Sequence, residues 1–130
     1  MKNIITFLSL ALCLGIFSFT TLKESNEEQP LVHTVFFWLD KELSEADITE
    51  FEAELVKLGT ISTIDQYYWG KPAATEARGV IDNSYSYAIN VHFNSIQAHD
   101  TYQTHAKHIE FLKQAPKWTK VVVYDNEISH

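Results

Sequence analysis

The chain has 130 residues, of which 45% are apolar and 13% aromatic, enough for one folded domain and too apolar for a disordered chain. With 17 acidic against 10 basic residues the formal net charge is -7, which argues against nucleic acid as a partner, since that function leaves a basic face as its footprint. Cys13 is the only cysteine, so no intramolecular disulfide and no cysteine-based metal site can form.

The first 22 residues stand apart from the rest. Lys2 is their only charged side chain, and Ile4 to Leu22 is an uncharged run rich in Leu, Ile and Phe. A short positive start followed by an apolar run is the pattern of a secretory signal. The same run is long enough to cross a bilayer as an uncleaved membrane anchor over residues 4–22. Leu10-Ala11-Leu12-Cys13 half resembles a lipobox, although Leu12 is large for its place and the apolar run continues past Cys13. Residues 1–22 are therefore expected to direct export to the periplasm, the medium or the outer side of a membrane. Residues 23–30, with Glu24, Glu27 and Glu28, read as a polar linker, and the folded domain is expected over residues 31–128.

Leu31 to Leu39 reads as a strand, rich in β-branched and aromatic residues and apolar on both faces. His33, Val35, Phe37 and Leu39 fall on one face; Val32, Thr34, Phe36 and Trp38 fall on the other. Helices of a domain this size cover one face of a sheet, so the second apolar face predicts a partner copy. Ser44 to Leu58 reads as a helix, with Ser44 and Asp47 close to a capping box, a stripe of Ile48, Phe51, Leu55 and Leu58, and Gly59 as the stop. A second strand is expected over Ile61 to Trp69, ended by Pro72. Ala73 to Asn83, with the only arginine, Arg78, reads as a loop suited to a lid. Tyr85 to Phe93 alternates as a third strand. Ser95 caps a helix carrying Ile96, His99 and Tyr102, a short helix over His108 to Gln114 ends at Pro116, and Trp118 to Asp125 is the last strand. The order β-α-β-β-α-β predicts an α+β, ferredoxin-like fold with an antiparallel sheet.

Tyr102-Gln103-Thr104-His105-Ala106-Lys107-His108 places a phenol and two imidazoles within seven residues. Both groups move protons readily. On one continuous helix Tyr102, Ala106 and Ile109 share a face and His108 sits on its flank; a break near His105 changes that angle. The bland alternative makes Tyr102, Ile109 and Leu112 core and leaves the histidines in solvent. His105 and His108 lie three apart, but without a nearby carboxylate or thiolate they make a poor metal site. No metal and no cofactor are expected.

From His33 to about Glu127 the chain resembles the stress-responsive A/B barrel (Dabb) domain. The resemblance is carried by His33-Thr-Val-Phe-Phe in the first strand, Tyr67-Tyr-Trp-Gly-Lys71 in the second, the tyrosine-containing third strand, Tyr102-x-x-His105-x-x-His108, and the closing Val-Val-Val-Tyr124-Asp125. It implies a ferredoxin-like monomer whose sheet packs on that of a second copy, giving a homodimer with a dimeric α/β barrel. The family includes a plant polyketide cyclase that closes an aromatic ring by an aldol step. Its catalytic tyrosine and histidine resemble Tyr102 and His108, and its first-strand histidine resembles His33. A further pocket histidine of that enzyme is Tyr87 here, and the family's His-Pro pair is His105-Ala106.

Three functions are compatible with these residues. In the first, Val35, Phe37, Tyr67, Tyr87, Ile89 and Val91 on the sheet meet Phe51, Leu55, Phe111 and Trp118 and form a pocket for a small apolar or aromatic molecule. In the second, the same pocket is an active site with His108 as general base, Tyr102 as proton donor or oxyanion partner and His33 as a positioning group. In the third, the domain is a structural dimer whose interior is filled by side chains.

Overall fold

The computed structural model describes residues 29–129. The expected signal or anchor, Cys13 and residues 23–28 of the expected linker lie outside the described residues. Among the described residues no helix is long and apolar enough to cross a membrane.

Four strands, β1 (Leu31–Leu39), β2 (Gln66–Gly70), β3 (Tyr87–Phe93) and β4 (Trp118–Glu127), form one antiparallel sheet in the order β2-β3-β1-β4. Helices α1 (Glu45–Leu58), α2 (Ile96–Thr104) and α3 (Ala106–Phe111), followed by a 3-10 turn over Leu112–Lys117, complete the described elements. This is the α+β, ferredoxin-like arrangement that the element order predicts. β1 is central, because its apolar residues on both faces suit a strand flanked by two others. Its residues alternate as expected. Leu31, His33, Val35 and Phe37 are buried on the helix side, while Val32, Thr34, Phe36 and Trp38 are only half-buried on the outer face.

Helix α1 begins with a complete capping box. The Ser44 hydroxyl accepts from the Asp47 N–H at 3.2 Å and the Asp47 carboxylate accepts from the Ser44 N–H at 3.1 Å, which satisfies two otherwise orphaned donors. Phe51, Leu55 and Leu58 are fully buried; burial of each stabilises the fold by roughly 1.5–3 kcal/mol. Gly59 caps the helix, but not as a left-handed residue: its φ is -64°. Glycine stands there because a Cβ would run into the Tyr67 ring, 2.8 Å from Cε1. That ring is held by its hydroxyl, which donates to the Leu55 carbonyl at 2.8 Å.

Element boundaries differ from the sequence reading: β3 starts at Tyr87 rather than Tyr85, α3 spans Ala106–Phe111 rather than His108–Gln114, and β4 runs on to Glu127. β2 starts at Gln66 rather than Ile61, because Ile61 is drawn into the core directly after α1 and Ile61 to Asp65 turn to reach the sheet. Pro116 lies inside the 3-10 turn, which runs on to Lys117, rather than stopping the helical stretch. The segment Ala73 to Asn83 contributes no residue to the cavity described below; Asp82 lines a groove with Phe36, Trp38 and Tyr124 on the outer face.

Candidate functional site

The site is organised by a break in the helical stretch after β3. His105 adopts extended backbone, φ -67° and ψ 141°, and serves both as the C-cap of α2 and the N-cap of α3. Its own N–H donates to the Tyr102 carbonyl at 3.1 Å, and its Nδ1 accepts from the Lys107 N–H at 3.1 Å. The break therefore forms with Ala106 where the resembling family has proline. It rotates α3 relative to a continuous helix, so that His108 turns inward and Ile109 outward. The expected face of Tyr102, Ala106 and Ile109 is replaced by the pair Tyr102 and His108, with ring centroids 4.7 Å apart.

Both rings are buried, and both line a cavity of about 310 Å³ between α2, α3 and the helix-side face of β1 and β4. The His108 Nδ1 lies 3.0 Å from the Gln103 carbonyl. A carbonyl only accepts, so Nδ1 carries the proton and Nε2 keeps its lone pair. Burial holds the His108 pKa below the usual histidine value, only partly opposed by the Gln103 carbonyl. Burial also pushes the Tyr102 phenol upward, so it remains a neutral donor.

His33 stands opposite on β1, edge-on to Tyr102 at 5.9 Å between ring centroids. The β1–β4 register sets it against Asp125, whose carboxylate lies 2.6 Å from His33 Nδ1. Burial lowers the His33 pKa more than the Asp125 carboxylate raises it, so this is a neutral imidazole donating to a carboxylate. The other walls are apolar: Val35, Phe37 and Ile89 from the sheet, and Phe111 and Trp118 stacked at 27°. The opening lies along β4, where Val121 and Val123 remain exposed.

The cavity thus gathers His33, Val35, Phe37, Ile89, Tyr102, His108, Phe111 and Trp118 from the residues singled out in the sequence. Phe51, Leu55, Tyr67, Tyr87 and Val91 lie outside its wall. Phe51, Leu55 and Val91 are closed core, Tyr67 is held against α1, and the Tyr87 hydroxyl donates to Glu52 at 2.5 Å beside Lys71, away from the cavity. Asp125, Gln103, Leu112, Val121 and Val123 also line the cavity and were not expected as site residues. The signal that finds the three on β4 is the period-two pattern Val121-x-Val123-x-Asp125 set against Phe37, Val35 and His33.

The chain is similar in fold to several solved structures. One is a dimeric ferredoxin-like protein of unknown function from Thermobifida fusca, with 18% identity, 78% of this chain and 93% of that chain covered, and a TM-score of 0.64. Another is a hydroxynitrile lyase from Passiflora edulis, with 23% identity, 78% and 95% covered, and a TM-score of 0.66. A third is a Dabb family protein with a ferredoxin-like fold from Mesorhizobium loti, with 20% identity, 78% and 99% covered, and a TM-score of 0.63. No curated protein sequence matches the chain. The sequence model of the stress responsive A/B barrel domain matches residues 31–128, and this places the chain in the stress responsive A/B barrel domain family.

Proposed function

We propose that this protein is exported, assembles as a homodimer through the outer faces of its sheets, and binds a small apolar or aromatic molecule in the cavity between sheet and helices. The supporting observation is the make-up of that cavity: aromatic and aliphatic walls, with the polar groups of Tyr102, His108 and His33 converging at one side. Its volume lies at the small end of ligand sites, which suits a molecule of about one ring. Dimeric neighbours such as the Thermobifida fusca protein support the assembly, and the uncharged run Ile4–Leu22 supports export.

A second reading, proton-transfer catalysis in the same cavity, is favoured by one observation. The Gln103 carbonyl fixes the His108 tautomer with Nε2 as a free base beside a neutral phenol, the pair that general acid–base chemistry needs. A neighbour in fold is by its name a lyase.

One experiment separates these readings. The purified full chain is screened with single-ring phenols, aldehydes and ketones, following both thermal stabilisation and chemical conversion. A binder shows stabilisation that Tyr102→Phe and His108→Ala weaken by the roughly 0.5–1.5 kcal/mol of one net hydrogen bond. An enzyme shows conversion that His108→Ala abolishes while the melting temperature is kept. If no compound stabilises the chain and neither substitution has an effect, the domain is a structural dimer and both readings fail.

A further inference from the structure

Beside the cavity, a second groove of about 290 Å³ runs between the start of α2 and the end of β4. Its charged walls are Asp100, Asp125 and Glu127, with no lysine or arginine among them. A cleft lined by one sign of charge concentrates ions of the other sign, so this groove draws cations. His99 faces the groove, His33 faces the cavity, and Asp125 lines both. These three residues come from α2, β1 and β4, and each offers a ligating atom within 4.8 Å of the other two.

We propose that His33, His99 and Asp125 bind a divalent cation of borderline softness, with zinc as the type, at the partition between the acidic groove and the cavity. Two imidazoles and one carboxylate are a donor set used by zinc and ferrous sites that keep open positions. The His33 and His99 rings are already 5.3 Å apart between centroids, and His33 is 2.6 Å from Asp125. Bonds of about 2.0–2.1 Å put neighbouring ligand atoms roughly 3.3 Å apart. Ligation therefore needs a local rearrangement of the cluster, in which the Asp125 side chain, 52% exposed, is free to shift away from its 2.6 Å contact with His33.

The surroundings of His99 fit the same role. Asp100 lies 3.1 Å from its Nδ1, the carboxylate partner that typically orients a metal-bound histidine. With Nδ1 donating to Asp100, Nε2 keeps a lone pair, which takes a 2.9 Å contact from the Gln103 side-chain amide. A cation displaces that amide. His33 keeps a single proton in either tautomer, so it ligates as a neutral ring. One carboxylate against a dication leaves a net positive centre, which would suit an anionic or carbonyl oxygen as a further ligand.

The test uses the full chain stripped by a chelator, titrated with Zn²⁺ by calorimetry and with Co²⁺ by visible absorption. The expected result is one ion per chain, with binding weakened about tenfold or more in both His99→Gln and Asp125→Asn. In the Co²⁺-loaded wild type, proton NMR should show paramagnetically shifted ring signals from two histidines, His33 and His99, which tests the ligands without any substitution. No saturable binding below about 1 mM, wild-type affinity in His99→Gln, or no shifted histidine signals would overturn the proposal.

Discussion

Tyr102 and His108 face each other across a helix break, their ring centroids 4.7 Å apart. They are six positions apart in the chain, and on an uninterrupted helix that spacing turns two side chains well away from each other. The extended backbone of His105 brings them together. The chemistry of the cavity therefore depends on one residue's ψ angle, and the stability of that break is the first thing to measure.

Ala106 occupies the first position of α3, directly after the His105 cap. Proline suits that position, because its missing N–H is not needed there and its φ matches a helix. His105, with ψ 141°, already has the conformation that a following proline demands. Ala106→Pro should therefore raise stability by about 0.4–1 kcal/mol through the unfolded chain. His105→Ala, which removes the acceptor for the Lys107 N–H, should cost about 1 kcal/mol. Urea unfolding of both variants checks the pair; a destabilised Ala106→Pro would mean that α2 and α3 are more continuous than described.

The strand alternation of β1 was legible in the sequence, because a residue's face in a strand follows from its parity alone. His33, Val35 and Phe37 were assigned to one face and lie on it. The meeting of Tyr102 with His108 was legible as a spacing but not as a geometry, since it needed the His105 backbone. Asp125 stood in a recognised stretch, yet its pairing with His33 needed the β1–β4 register. Phe51, Leu55, Tyr67, Tyr87 and Val91 show why a face is not a cavity. Where α1 covers β2 and β3, the side chains close on one another as core. Beside the edge strand β4 the cover ends, and the same sheet face opens into the site.

Gly59 supplies a prediction about that closed side. Alanine at 59 drives its Cβ into the Tyr67 ring, and the ring cannot retreat without giving up its hydrogen bond to the Leu55 carbonyl. Overpacking of this kind costs roughly 1–3 kcal/mol, whereas Tyr67→Phe should cost only about the 1 kcal/mol of one net hydrogen bond. In the double variant Gly59→Ala with Tyr67→Ala, the alanine at 59 should cost almost nothing further. A full additive loss in denaturant melts would show that the ring is not what excludes a side chain at 59.

The buried histidine sets the expected pH dependence. His108 has its folded-state pKa lowered, chiefly by burial, with His33 and His99 adding further in the same direction. The groups that face it are His33 on β1, His99 and Tyr102 on α2, and Asp125 on β4 through His33. An unfolded chain takes up the proton first as the pH falls. The stability contributed by neutral His108 is therefore complete above about pH 6.5, the ordinary histidine value, and is lost as the pH falls below it toward the folded-state value, at about 1.4 kcal/mol for each unit of depression. Melting temperatures measured from pH 8 to pH 5 in a chelating buffer should fall on the acid side, and His108→Gln should flatten that fall. An unchanged slope in His108→Gln would remove this residue from the linkage.

Assembly turns on the outer face of β1. Phe36 is half-buried there, packed edge-on against Tyr85 at 4.9 Å and Tyr124 at 6.4 Å between centroids, while Tyr124 itself is 57% exposed. In a homodimer joined through these faces, Phe36→Asp places an unpaired carboxylate in the interface, at a cost of several kcal/mol. In a monomer the same carboxylate remains partly hydrated at the wall of an outer-face groove, and the cost is small. Light scattering on the wild type should give twice the mass of one chain at micromolar concentration, and on Phe36→Asp the mass of a single chain with the circular dichroism of a folded α+β domain. A wild type that scatters as a folded monomer would rule out the sheet-to-sheet dimer.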